Sequence, residues 1–225
     1  MSDESLNPMA DIARNGQVEN MFPTPIFWHV LKDCEALNAE LRDLILDKER
    51  STTSATKSNM GGWQSPPDFF QWQGQAVATL ERYVRCALDV ATVRVTAPKI
   101  LRGKFDVYGW GAVNRRGHYN TAHVHPMATW SGVYYIDAGD DAADTTEGFL
   151  EFAHPIAAST MTFFPNVLPA ARLVRPQAGM MILFPSYLLH SVRMYRGDRP
   201  RICVPFNAHL QTPDAPSGHH HADDH

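Results

Sequence analysis

Hydrophobic and polar positions follow two different periodicities along the chain. In the first part, apolar residues recur every three or four positions, which predicts a helix over 34–49 with Asp33 as its N-cap. A second series predicts a longer helix over about 68–90, capped by Asp68. The apolar positions of the two series are Leu37, Leu41, Leu44 and Ile45, then Phe70, Val77, Leu80, Val84 and Leu88.

From about residue 92 onward, short β-rich runs alternate with turn residues. Many short strands at this spacing predict an antiparallel sandwich or barrel, with the two helices packed on one face. An earlier run over 22–30 starts with prolines and predicts an edge strand, and residues 50–67 predict a loop. The later strands are predicted at Val93–Val95, Gly103–Tyr108, Thr129–Ile136, Gly148–Phe152, Thr160–Phe164, Ala171–Val174, Met180–Phe184, His190–Tyr195 and Arg201–Leu210.

The length of 225 residues suits one domain with a substantial apolar core. We predict a flexible N-terminal arm over 1–20, and one folded domain over 21–210 whose β core occupies 92–210. A disordered, His-rich tail is expected over 211–225. Such tails seldom form a structured site, so we leave this one out of the active site.

Charge and composition exclude some classes of partner. The net charge of −4 offers no electrostatic footprint for nucleic acid or for an anionic membrane. There is no apolar run of membrane-spanning length, and the first residues lack the basic start and apolar stretch of a secretory signal. Three separated cysteines without a CxxC motif favour a reducing compartment. We therefore expect a cytoplasmic protein.

The densest cluster of metal-binding side chains surrounds His123 and His125. In an extended strand, residues two apart point to the same face, so these imidazoles would project together. Such a pair, with Pro126 ending the regular hydrogen bonding, can hold two neighbouring positions on a metal ion. His190 follows an apolar run typical of a buried strand and is the natural third ligand.

An arginine opens the apolar strand that follows His190. If Arg201 faces inward, it needs an anion to offset the loss of its hydration. A dicarboxylate co-substrate would meet that need, because guanidinium binds carboxylate in a bidentate, charge-assisted manner. Arg199, close to the preceding turn, fits a surface position better.

These segments, in this order, resemble the 2-oxoglutarate/Fe(II) oxygenases of bacterial and phage origin. The matching motifs are His123-Val124-His125-Pro126, Ser131-Gly132-Val133-Tyr134-Tyr135, Phe184-Pro185-Ser186, His190, Arg201 and Phe206-Asn207, with Phe22-Pro23-Thr24-Pro25 and Gly61-Gly62-Trp63-Gln64-Ser65 upstream. The likeness spans roughly residues 21–210. It implies a jelly-roll, cupin-like double-stranded β-helix packed against the N-terminal helices. It also implies a dioxygenase that uses Fe(II) and the co-substrate 2-oxoglutarate, with hydroxylation as the default outcome.

By the same resemblance, Tyr135 and Arg201 would hold the distal carboxylate of 2-oxoglutarate. Strand alternation lets only one of Tyr134 and Tyr135 face inward. The wider superfamily holds iron with two histidines and one carboxylate, and here His125 stands in the carboxylate position. Three alternatives follow: His125 is itself a ligand, Glu151 supplies the carboxylate, or the position is left open.

The expected substrate is a small molecule or a peptidyl residue, and a homodimer is compatible with the sequence. Candidates for the substrate rim are Asn114, Asn120 and Trp130, which also suit ordinary turn or rim positions. One rival function is a cupin-type dioxygenase or isomerase that does not use 2-oxoglutarate, but this rival leaves Arg201 unexplained. A second rival is a non-catalytic binding protein on a degenerate oxygenase scaffold, which should retain little iron.

Overall fold

The computed structural model describes residues 23–55, 57–99, 103–140, 145–156 and 169–211, together with residues 13, 17 and 158. Nearly all of the predicted arm and tail, and the predicted strand Thr160–Phe164, lie outside these residues. The described helices are α1 (Glu35–Ser51) and α2 (Gln75–Thr96), with a short 3-10 helix at Phe69–Gln71. No helix in this part of the chain is long and apolar enough to span a lipid bilayer.

Twelve strands are described, all in the β-rich part of the chain apart from three short ones near its start. They are β1 (Phe27–Val30), β2 (Asn59–Met60), β3 (Trp63–Gln64), β4 (Lys104–Gly109), β5 (Ala112–Asn114), β6 (Tyr119–His123), β7 (Trp130–Asp137), β8 (Leu150–Ala153), β9 (Ala171–Val174), β10 (Met180–Pro185), β11 (His190–Val192) and β12 (Arg201–Gln211).

The described strands form two antiparallel sheets. The larger has the order β1-β10-β7-β12-β5-β3, with β4 also paired to β12, and the smaller has the order β2-β6-β11-β8-β9. From β5 to β8, and again from β9 to β12, successive strands lie in alternate sheets, as expected for a double-stranded β-helix. Strand β1 lies at the edge of the larger sheet, which confirms the edge position predicted from its prolines.

Residue alternation along β7 separates two apolar layers. Tyr134 and Ile136 pack toward the helices, whereas Val133 and Tyr135 face the space between the sheets. The helical layer includes Leu41 and Ile45 of α1 and Leu80, Val84 and Leu88 of α2, all fully buried. The helices therefore cover one face of the larger sheet, as predicted, and leave its other face to form the interior between the sheets.

The second helix begins later than its prediction. Gly74, with a φ of 139°, precedes the first helical residue Gln75, and a 3-10 turn occupies the region where the helix was expected to start. Asp68 makes no capping hydrogen bond; its carboxylate accepts one from the Trp72 indole at 2.9 Å. Similarly, α1 has Cys34 rather than Asp33 at its N-cap.

The predicted strand Val93–Val95 is wrong, because these residues belong to the last turns of α2. Ala91 and Thr92 continue the buried face of the helix, and packing against the sheet outweighs the β-propensity of the valines. The helix ends at Thr96, shortly before Pro98, which cannot continue it. The loop predicted over 50–67 also contributes the two short strands β2 and β3.

Candidate active site

Strand pairing brings the first and last predicted metal ligands face to face. His123 ends β6 and His190 begins β11, and the two residues are direct partners in this antiparallel pair. Residues opposite each other in such a pair have side chains on the same face of the sheet. His190 begins β11, whereas the HxH motif follows from the end of β6. The pairing of these two strands therefore places His190 beside the motif.

His125 reaches the same place from outside the strand. Strand β6 ends at His123, so the expectation that both histidines share an extended strand holds only for the first of them. Pro126 and the left-handed Met127 (φ 68°) turn the chain here. The backbone N–H of His125 donates to the Ser186 carbonyl at 3.0 Å, which fixes the turn against the segment before β11.

The three imidazoles form a compact cluster. Ring centroids are 4.3 Å apart for His123 and His190, 5.0 Å for His123 and His125, and 5.1 Å for His125 and His190. One nitrogen from each ring lies within 4.8 Å of the other two. Three nitrogen donors at this separation, on one side of a metal ion, are compatible with a facial three-ligand site.

Two of the rings are oriented by backbone carbonyls. Nδ1 of His123 lies 2.7 Å from the Thr121 carbonyl, and Nδ1 of His190 lies 2.8 Å from the Leu188 carbonyl. A carbonyl only accepts, so each Nδ1 carries the proton and donates. Nε2 is then the unprotonated nitrogen in both rings and the one that could ligate a metal; in His123 it lies 3.4 Å from the Ser58 hydroxyl.

Asn207 contacts the third ring. Its amide nitrogen lies 3.4 Å from Nδ1 of His125 and donates to the Tyr108 hydroxyl at 3.1 Å, while its oxygen accepts from the Ser131 hydroxyl at 2.8 Å. The Asn207 amide is therefore the hydrogen-bond partner of His125 Nδ1. Asn207 was noted in the sequence only as part of the Phe206-Asn207 motif, and its contact with His125 was not predicted.

Burial keeps all three imidazoles neutral. Loss of hydration lowers the pKa of His125 to about 3, with smaller contributions from His190 and His123. Burial, followed by the charge of His123, lowers the pKa of His190 to about 4, and burial also lowers the pKa of His123. Neutral imidazole is the form that binds metals, so none of the three rings has to give up a positive charge when a metal ion binds at neutral pH.

Arg201 is a buried cation in the same cavity. Its side chain is 2% exposed, its Nε has no hydrogen-bond partner, and no carboxylate in the described part of the chain forms an ion pair with it. Nη1 lies 3.8 Å from the Cys203 sulfur, and the guanidinium lies 5.0 Å from the centre of the Tyr135 ring. The charge of the guanidinium and its hydrogen bonding with Tyr135 partly oppose the burial that raises the pKa of that phenol. A charge in this position is costly unless an anion joins it.

Tyr135 lies beside this arginine, and Tyr134 does not. Tyr135 is 1% exposed and lines the cavity, where burial raises its pKa to about 12, so the phenol stays protonated. Tyr134 points to the opposite face of β7, where its hydroxyl donates to Asn38 Oδ1 at 2.7 Å. The structure thus places the pair as strand alternation predicted.

The remaining wall of the cavity is uncharged and combines apolar side chains, among them Val133, Leu150 and Phe184, with a few polar ones. Ser58, Gln64, Asn114 and Asn120 line it, and no Asp or Glu is among the lining residues of the described chain. Trp110 also lines the cavity, and its buried indole N–H has no hydrogen-bond partner among the residues that the structure describes. An unpaired buried donor costs about 1–3 kcal/mol. Ser58 and Trp110 carried no signal in the sequence that would have marked them, and Gln64 was noted only as part of the Gly61-Gly62-Trp63-Gln64-Ser65 motif.

Two predicted site residues lie elsewhere. Glu151 faces away from the histidines, because strand alternation in β8 puts Phe152 opposite His190, and its carboxylate pairs with Arg193 at 2.6 Å. Trp130 is buried on the helix side of β7, where its indole donates to the Thr92 hydroxyl at 3.0 Å. It does not line the cavity, whereas Asn114 and Asn120 do.

Comparisons with known proteins agree with this geometry. Residues 109–207 match the family model described as "Putative 2OG-Fe(II) oxygenase". This segment begins at the end of β4 and includes all three histidines, Tyr135 and Arg201. No curated protein matches this chain by sequence.

Solved structures share the fold at low sequence identity. A prolyl-4-hydroxylase from Pseudomonas putida matches with a TM-score of 0.58 and 16% identity, over 90% of this chain and 97% of that one. A prolyl hydroxylase from Trichoplax adhaerens, solved with a hypoxia-inducible-factor peptide, gives 0.57 and 12%, over 89% and 86%. HygX from Streptomyces hygroscopicus, solved with nickel and 2-oxoglutarate, gives 0.53 and 11%, over 83% of each chain.

The architecture in these structures is the double-stranded β-helix described above. The family match covers the part of the chain that carries the cluster of three histidines. The fold, the matched segment and the histidine cluster therefore agree with one another. Over residues 109–207 the chain is similar to the family described as "Putative 2OG-Fe(II) oxygenase", and its fold agrees with that similarity.

Proposed function

We propose that the chain is an Fe(II)- and 2-oxoglutarate-dependent dioxygenase that hydroxylates a small-molecule or peptidyl substrate. The observation that carries this proposal is the buried Arg201, which has no carboxylate partner among the described residues and lies in the same cavity as three neutral histidines. A dianionic co-substrate that also binds a divalent metal explains both features, because it supplies a carboxylate for the guanidinium and oxygen ligands for the metal.

In this assignment His123, His125 and His190 hold the metal, and Arg201 with Tyr135 binds the distal carboxylate. When bound, iron and 2-oxoglutarate supply the oxidising power, with succinate and carbon dioxide as by-products. The chain contributes orientation and exclusion of water. Arg201 fixes one end of the co-substrate by paired hydrogen bonds, and the protonated Tyr135 phenol donates a further one.

His125 is the third ligand in this proposal. When the amide nitrogen of Asn207 faces Nδ1 of His125, Nδ1 accepts and the ring carries its proton on Nε2. If the Asn207 amide rotates by half a turn, its oxygen faces Nδ1 instead. The proton then lies on Nδ1, and Nε2 can bind the metal. Glu151 is a weaker candidate, because it is engaged with Arg193. Three neutral ligands leave the full charge of the metal for the co-substrate dianion.

Substitution of His125 tests this ligand directly. His125→Ala is expected to weaken Fe(II) or Co(II) binding by about 10-fold or more, because a ligand is lost and even outer-shell losses cost this much. His125→Asp should retain most of the affinity, since it installs the carboxylate of the wider superfamily at the same position. Anaerobic titration calorimetry measures both variants.

The matched control for His125 is Glu151→Gln. It removes the competing carboxylate and is expected to leave the metal affinity unchanged. Normal affinity in His125→Ala combined with weak binding in Glu151→Gln would reverse the assignment of the third ligand.

The geometry disfavours both rival functions. A cupin-type enzyme that does not use 2-oxoglutarate has no role for the buried Arg201, and its expected carboxylate Glu151 lies away from the histidines. A degenerate scaffold would be expected to have lost part of the site. Here the described residues keep three converging histidines, the arginine and the tyrosine in one cavity.

Compartment, domain limits and substrate complete the proposal. Cys34, Cys86 and Cys203 are free thiols, which fits a reducing cytoplasm. A single oxygenase domain over 21–210 would contain every site residue, so catalysis needs no second copy.

One similar structure contains a peptide fragment and another was solved with hygromycin B, which are peptidyl and small-molecule ligands of those proteins. A negative net charge argues against nucleic acid as substrate.

Co-substrate turnover tests the proposed function. The protein supplied with Fe(II), 2-oxoglutarate and ascorbate in air is expected to release succinate slowly, in a one-to-one ratio to 2-oxoglutarate consumed. The same mixture with Zn(II) in place of Fe(II) is the control and should release none. If the iron-loaded protein neither forms succinate nor gains thermal stability with 2-oxoglutarate, the proposal fails.

A further inference from the structure

One tryptophan differs from the others in the surroundings of its indole N–H. The chain has five tryptophans, all within the described residues. Three have internal acceptors, since Trp63 donates to the Thr52 carbonyl at 3.3 Å, Trp72 to Asp68 and Trp130 to Thr92. Trp28 is 58% exposed and can donate to water. Only Trp110 has an indole N–H that is both buried and without an acceptor in the described chain.

Trp110 stands at the active-site cavity. It lies between β4 and β5, and its backbone N–H donates to the Pro205 carbonyl at 3.0 Å. Its ring lines the cavity and has its centroid 6.1 Å from that of His125. The cavity is thus the place from which an acceptor for this donor would come.

Strand β12 shows which part of the cavity Trp110 borders. Arg201, Cys203 and Pro205 line the cavity at alternate positions, and Asn207, two residues further, contacts His125. Trp110 is fixed beside Pro205. It therefore lies between the guanidinium at one end and the histidines at the other, along the path of a co-substrate that joins the two.

We propose that the indole N–H of Trp110 is a binding donor for 2-oxoglutarate and gives its hydrogen bond to a carboxylate oxygen of the bound co-substrate. This inference rests on the proposed function. An indole N–H donates only and a carboxylate accepts only, so the two are complementary. The same ligand then satisfies both unpaired buried donors of the cavity, Nε of Arg201 and Nε1 of Trp110.

Trp110→Phe removes the donor and keeps an aromatic ring in place. With Zn(II) as an inert metal, its Kd for 2-oxoglutarate is expected to rise by about 10-fold or more, because a hydrogen bond to a charged oxygen is lost. The Kd for Zn(II) should not change. Trp130→Phe is the matched control: it loses an indole donor bonded to Thr92 on the helix side, and it should bind 2-oxoglutarate normally.

Nitrogen-15 NMR of the indole groups gives a readout that a purely structural role would not move. The Trp110 resonance is assigned as the one missing from Trp110→Phe, and it is expected to shift downfield when 2-oxoglutarate is added to the Zn(II)-loaded protein. The Trp63, Trp72 and Trp130 resonances should shift much less. An unmoved Trp110 resonance together with normal affinity in Trp110→Phe overturns the inference, whereas absence of 2-oxoglutarate binding to the unmodified protein overturns the proposed function.

Discussion

Arg201→Met is expected to abolish 2-oxoglutarate binding and, at the same time, to stabilise the protein that has no co-substrate. The guanidinium is buried and has no carboxylate partner in the described chain, so it contributes an unfavourable free energy until an anion arrives. A methionine of similar length fills the space without charge. The free energy of unfolding without 2-oxoglutarate should rise by about 1–3 kcal/mol.

The opposite sign is expected once the co-substrate is present. The unmodified protein at 100 times its Kd for 2-oxoglutarate should gain about 2.7 kcal/mol of stability, and Arg201→Met should gain almost none. Loss of a buried charge partner should raise the Kd by about 100-fold or more. Thermal melting with and without 2-oxoglutarate, in the presence of Zn(II), measures the stability and the binding in one experiment.

Two further variants separate charge from shape. Arg201→Lys keeps the charge but not the planar fork, so we expect intermediate affinity. Arg193→Met removes a partly exposed arginine whose partner is Glu151, and it should leave 2-oxoglutarate binding unchanged. If Arg201→Met bound 2-oxoglutarate as tightly as the unmodified protein, the cation would have another role and the co-substrate assignment would lose its main support.

The sequence predicted the β-rich core and the edge strand because these depend on local patterns. It failed at the end of α2, where Val93–Val95 has strong β-propensity but belongs to a helix that packs on the sheet. The start of α2 was missed for a related reason. An aspartate before an apolar series predicts a cap, yet Asp68 accepts from Trp72, and Gly74 precedes the helix. Tertiary contacts therefore determine where α2 begins and where it ends.

The candidate site likewise contains some residues that the sequence predicted and others that it did not. His123, His125, His190 and Arg201 were predicted because their residue types are unusual where they stand in β-rich segments, and the family resemblance added Tyr135. Residues recruited by tertiary pairing left no such signal. Asn207 reaches His125 across 82 residues of sequence, and Trp110 becomes noticeable only when its indole proves to be buried without an acceptor.

His123→Ala and His190→Ala are each expected to remove metal binding, and turnover with it. Each ring is held by one backbone carbonyl, so neither can swing to replace the other. Loss of an outer-shell partner alone commonly weakens metal binding 10–100-fold, and loss of a ligand should exceed about 100-fold. Metal content after dialysis and anaerobic Co(II) titration measure this effect, and succinate formation should fall below detection.

The matched control is His29→Ala. His29 is exposed on the edge strand β1, so this variant should keep full metal content and turnover.

Far-UV circular dichroism of the metal-free variants checks folding, which matters most for His190, whose side chain is buried between the sheets. His190→Gln, with more of the original volume, separates lost ligation from lost packing: it should fold like the unmodified protein and still fail to bind metal. Full metal content in any folded His123 or His190 variant would mean that the metal is held elsewhere, since these two rings are opposite each other in the only strand pair that joins the HxH motif to β11 in the described chain.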